Sequence, residues 1–145
     1  MLTNEQIYTL IDQAIIELYR VDGELIRDET HEQSVSARLM CYIQCLFPEW
    51  NVDVEFNREG AYRDGRHRAS KTDFEWIIRK PDIIIHKRWP QGPNLALILI
   101  KGYWNTDSCQ NDREVALSLK QKLHYQIAYT LKLNETAHDL QEVTL

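Results

Sequence analysis

At 145 residues, 43% apolar and 27% charged, the chain has the size and composition of one globular domain that needs no disulfide staples. A formal net charge of −5 argues against generic polyanion binding. No segment reaches the length of a membrane span and no signal-peptide pattern is present, so cytoplasm is the expected compartment and no membrane partner is expected.

The first predicted helix covers Thr3 to Arg20, where Ile7, Leu10, Ile11, Ala14, Ile15 and Leu18 form one apolar stripe. Thr3 with Gln6 spells a capping box at its start, and Asp22-Gly23 spells a stop. The same signal recurs at Thr30 with Gln33 and opens a second helix that Pro48 ends. Its apolar face is Val35, Leu39, Tyr42, Ile43 and Leu46, while Glu32 in its first turn is favoured by the helix dipole. Cys41 and Cys45, four residues apart on this helix, are expected to be packed inside, and Cys109 to lie in a polar loop. None of the three has the partner spacing of a zinc site.

Alternation of apolar and acidic residues from Val52 to Phe56 predicts a strand buried on one face. A polar, basic stretch without periodicity then runs from Asn57 to Thr72, followed by Phe74 to Ile78 as a short strand or a lid. From Pro81 to Lys101, two apolar runs (Ile83 to Ile85, Leu95 to Ile100) flank a turn-rich segment and predict a buried hairpin. Asp82 opens the first run and Lys101 closes the second. A charge at the end of a buried strand is costly unless it is solvated, paired or metal-bound. A turn over residues 102–107 leads to a helix capped by Asn111 or Asp112 and ending near Leu123. Alternation from Tyr125 to Leu133 gives a further strand, and an edge strand is expected near Val143. This order predicts an α/β fold: a mixed sheet flanked by helices.

Charge is unevenly spread. Arg58, Arg63, Arg66, Arg68, Lys71, Arg79, Lys80, Lys87 and Arg88 stand in a basic segment, and the rest of the chain is acidic. Such a segment either faces phosphates, releasing counterions, or pairs with the acidic remainder. The phosphate-contact candidates are Arg58, Arg63, Arg66, Arg68, Lys87 and Arg88. His86 at the end of its strand reads as a surface or hydrogen-bonded histidine. Trp89, Tyr103 and Trp104 flank the hairpin, either covering the sheet edge or stacking on bases.

In element order, in Pro81-Asp82, in Lys101 and in the string F-P-E-W-N-V-D-V-E-F-N-R, the chain resembles short prokaryotic members of the PD-(D/E)XK nuclease superfamily, the restriction-endonuclease-like fold. That resemblance implies a restriction-endonuclease-like core spanning residues 1–145. It also implies a Mg²⁺-dependent phosphodiester-cleaving site in which Asp82, Lys101 and Glu32 are the catalytic candidates. The ion, if the enzyme is active, would be held by Asp82 and the main-chain carbonyl of Ile100, with Glu32 or Asp107 as further ligands. The family's second acid precedes the lysine by two residues, and here that position is Leu99. Since alternate residues of a strand share a face, a cleft that receives Lys101 also receives position 99.

Three readings follow: a catalytically degraded nuclease-like protein that binds DNA, RNA or a protein partner; an active endonuclease whose missing acid has moved to Asp107, Asp112 or Glu114; or a protein-binding module on the same fold. The sequence sets no oligomeric state and is compatible with a homodimer.

Overall fold

A computed structural model describes residues 1–54, 81–88, 92–105 and 109–145. It comprises α1 (Asn4–Arg27), α2 (Glu32–Leu46), β1 (Asn51–Val54), β2 (Ile83–His86), β3 (Asn94–Gly102), α3 (Cys109–Leu123), β4 (Tyr125–Leu133) and β5 (His138–Glu142). The expected α/β class is observed, the described residues forming a five-stranded mixed sheet flanked by three helices. Among the described residues no helix is long and apolar enough to cross a membrane.

The capping box forms as its residues predict, Gln6 N–H donating to Thr3 Oγ1 (3.1 Å) and Thr3 N–H to Gln6 Oε1 (2.9 Å). The predicted stop at Asp22-Gly23 is instead a kink. Asp22 takes non-helical angles (φ −120°, ψ 23°) and the helix resumes to Arg27. Two tertiary contacts explain this: the Asp22 carboxylate is held by Arg38 and Tyr42 of α2, and Ile26 in the added turn is fully buried. Glu29, at φ 53°, then ends α1, with Thr30 N–H donating back to Leu25 and Glu29 N–H to Ile26, a left-handed cap usually given to glycine. The α2 cap falls one residue later than Thr30: His31 Nδ1 accepts from Gln33 N–H at 3.1 Å. Cys41 and Cys45, expected inside, are exposed, because Val35, Leu39 and Ile43 define the buried stripe and both thiols lie off it. Cys109, expected in a loop, opens α3.

The sheet runs β1-β2-β3-β4-β5, antiparallel except for the parallel β3/β4 pair that α3 connects. β1 begins at Asn51, and its predicted last positions, Glu55 and Phe56, lie outside the described residues, as does the Phe74 to Ile78 segment. β5 occupies His138–Glu142, just before Val143. On one face Ile83, Ile85, Ala96, Ile98, Ile100, Ile127 and Leu131 pack against α1 and α2. On the other, Ile84, Leu97, Leu99 and Ala128 pack against Ala116, Leu119 and Leu123 of α3. Tyr19 ties α1 to the β4/β5 turn by donating to the carbonyls of Asn134 and Ala137.

Candidate metal and nucleic-acid site

β3 is longer than the strand beside it. β2 begins at Ile83, which pairs with Ile98, so residues 99–102 overhang it. Along a strand, main-chain groups of alternate residues point to the same neighbour. Asp82 N–H donates to Ile98 O at 3.1 Å, so the N–H groups of Ile100 and Gly102 face the same side, with no strand to receive them among the described residues. Two carboxylates receive them. Asp82 Oδ2 accepts from Ile100 N–H at 2.6 Å, and Glu32 Oε2, reaching from the first turn of α2, accepts from Gly102 N–H at 2.6 Å. Glu32 Oε1 also takes a longer contact from Asn105 Nδ2, at 3.4 Å.

The carbonyl of Ile100 lies on this same edge, between two donors one strand repeat (about 6.7 Å) apart. Asp82, the Ile100 carbonyl and Glu32 therefore line one short stretch of main chain. All three present oxygen, the donor chemistry that Mg²⁺ prefers over nitrogen or sulfur. By donor type the set fits such an ion, which would serve as a Lewis acid toward a phosphoryl oxygen. Each carboxylate also has a structural duty, because an unpaired buried N–H at a strand end is itself costly. Among the described residues no three His, Cys, Asp or Glu side chains gather as a metal cage. A cation held here would rely also on the carbonyl, water and its ligand.

Lys101 takes a different direction. Leu97, Leu99 and Lys101 share the α3 face; Leu99 is 1% exposed and part of the core beneath α3. The Lys101 ammonium lies 3.0 Å from Asp112 Oδ2 in the first turn of α3, and both side chains are 6% exposed. Of the three acids considered for a displaced carboxylate, Asp112 is thus at the lysine, Glu114 is exposed and Asp107 lies outside the described residues. The pair borders a depression at the carboxyl ends of the parallel strands, lined also by Arg113, Thr130, Lys132 and Asp139. Crevices of this position are common ligand sites in α/β sheets.

Neither of the two described basic candidates lies there. Arg58, Arg63, Arg66 and Arg68 lie outside the described residues. Lys87 and Arg88 follow the far end of β2, about 13 Å or more of strand away from Asp82. Lys87 rests its ammonium 4.9 Å from the Trp50 ring centroid. Arg88 grips Asp53 with two donors, Nε at 2.9 Å from Oδ2 and Nη2 on Oδ1. His86, fully buried, meets the same carboxylate through Nε2 at 2.7 Å. Burial pushes the Asp53 carboxyl up, but the hydrogen bonds of His86 and Arg88 and the Arg88 charge outweigh it and leave the group at about 2.

Asn105 and Asp53 carry roles that the sequence did not signal. Their partners lie 73 and 33 residues away, and neither belongs to a local pattern. Comparison of the chain with known protein families, with characterised proteins and with solved structures returned no match.

Proposed function

We propose that this chain is a restriction-endonuclease-like domain that has lost robust cleavage and retains cation-assisted binding of nucleic acid. One observation carries the reading: Asp82 and Glu32 flank the Ile100 carbonyl at the overhang of β3, while Leu99, at the position of the missing acid, is sealed under α3. The antiparallel β1-β2-β3 unit, a helix and a strand parallel to β3 supply the element order that the resemblance calls for. Asp82, Glu32 and the Ile100 carbonyl would hold the ion, and the ion would draw a phosphate oxygen to this edge. A second reading, active Mg²⁺-dependent hydrolysis with a displaced acid, is favoured by Asp112, whose carboxylate stands on the lysine.

The test uses variants that keep a hydrogen-bond acceptor and remove the charge. In Asp82→Asn and Glu32→Gln the amide oxygen still receives the Ile100 and Gly102 N–H groups, so folding survives. Mn²⁺ binding, followed by the EPR signal of the free ion, is expected to weaken at least tenfold in each, along with Mg²⁺-dependent retention of DNA or RNA. Robust cleavage by the natural chain, abolished by Asp82→Asn, would replace the binding reading with the hydrolytic one. If the natural chain holds neither Mn²⁺ nor nucleic acid, both readings fall and a protein-partner role takes their place.

A further inference from the structure

The turn after β3 is built around an indole. Gly102 is buried, and a Cβ placed on it would lie 2.5 Å from Cη2 and Cζ2 of Trp104 and 2.6 Å from Cε2. Only glycine lets the ring lie directly on the main chain at this point. The same residue's N–H is held by Glu32, its carbonyl accepts from Asn105 N–H at 3.0 Å, and the Asn105 amide returns to Glu32. The Trp104 ring is therefore positioned by the same carboxylate that flanks the Ile100 carbonyl. Trp104 is half-buried, packed on Gly102 and in part against the core beneath α1 and α2. Tyr103 braces it edge-on, with ring centroids 5.3 Å apart and planes at 86°.

From this arrangement we infer that Trp104 is a stacking platform for one unpaired base, so that the ligand of the site is single-stranded nucleic acid rather than duplex. The inference rests on the nucleic-acid reading above and specifies its substrate class. Two further observations point the same way. Three of the described cations near the hairpin are already engaged: Lys101 by Asp112, Arg88 by Asp53, Lys87 by Trp50. Those three engaged cations add little counterion release at the site, and stacking, which tolerates any base, supplies affinity that does not depend on it. The Tyr103 phenol is also pushed up by its own desolvation and by the carboxylates of Glu29, Glu135 and Asp28. That acidic side repels phosphates, so the strand backbone keeps to the Ile100 carbonyl edge, where the ion would stand, while a base turns toward Trp104. A duplex keeps its base faces covered and has nothing to offer the ring.

The experiment measures anisotropy of a labelled twelve-nucleotide single strand and of its duplex, in Mg²⁺, with the natural chain, Trp104→Ala, Trp104→Phe and Gly102→Ala. Circular dichroism checks that each variant is folded. The natural chain is expected to bind the single strand at least tenfold more tightly than the duplex. Trp104→Ala loses about tenfold on the single strand and nothing on the duplex, and Trp104→Phe retains most of the affinity. Gly102→Ala, which displaces the ring without touching a charge, follows Trp104→Ala. Equal loss on both ligands, or no loss in Trp104→Ala, overturns the stacking role while the binding reading stands. No binding of either ligand by the natural chain overturns both.

Discussion

The substitution Leu99→Glu restores the acid that the nuclease-like pattern expects, and the structure predicts that it breaks the protein instead. Leu99 is 1% exposed and packs with Ile84, Leu97, Ala116, Leu119 and Leu123. Removing that burial forfeits about 1.5–3 kcal/mol. A carboxylate in the same space adds several kcal/mol of desolvation, and its nearest cation, Lys101, is already paired with Asp112. The total, about 5 kcal/mol or more, rivals the whole stability of a typical domain. Leu99→Ala, which leaves a cavity without a charge, costs only about 2–5 kcal/mol. At about 3 °C per kcal/mol for a chain of this size, the glutamate variant should melt about 15 °C lower or fail to fold, and below the alanine variant. Differential scanning calorimetry at neutral pH, with and without Mn²⁺, reads both. A glutamate variant that melts within a few degrees of the natural chain, or that Mn²⁺ returns to its original Tm, would refute the conclusion that position 99 is sealed from the site.

Other consequences follow from the charged and polar groups. Asp53 has its folded-state pKa lowered from 3.8 to about 2, so it contributes stability that is complete above pH 3.8 and is lost as pH falls through about 2. Discounted for the partly exposed Arg88, the contribution is about 1–2 kcal/mol. Urea midpoints from pH 5 to pH 2 should converge between the natural chain and Asp53→Asn, and a constant gap would disprove the pairing. Asp112→Asn removes the charge paired with a buried ammonium and should destabilise by about 3–5 kcal/mol, whereas the double change Lys101→Met with Asp112→Leu should be close to neutral by urea unfolding. The Tyr129 hydroxyl is buried with no hydrogen-bond partner among the described residues, so Tyr129→Phe should raise Tm by a few degrees; a fall would mean the hydroxyl is satisfied after all.

The order of helices and strands was legible in the sequence because it is a local property. Ile7, Ile11, Ile15 and Leu18 recur at the helical period, and Ile83 to Ile85 and Leu95 to Ile100 are runs too apolar to lie anywhere but a sheet interior. Strand parity likewise places Leu97, Leu99 and Lys101 on one face. The kink at Asp22 was not legible, since Asp-Gly is a stop signal until Arg38 and Tyr42 hold the aspartate and Ile26 finds the core. Nor was the exposure of Cys41 and Cys45, which depends on which stripe of α2 meets the sheet.

The tertiary structure alone decided what the charges of the hairpin do. Asp82 and Glu32, 50 residues apart in the chain, come to one strand edge because β3 outruns β2 and leaves two N–H groups that need acceptors. Lys101 belongs to the same strand end but points through the other face, where α3 supplies Asp112. Sequence marks which residues carry charge at a strand terminus. Which partner each charge finds is set by strand length, register and the helix laid across them, and those are relations between distant segments.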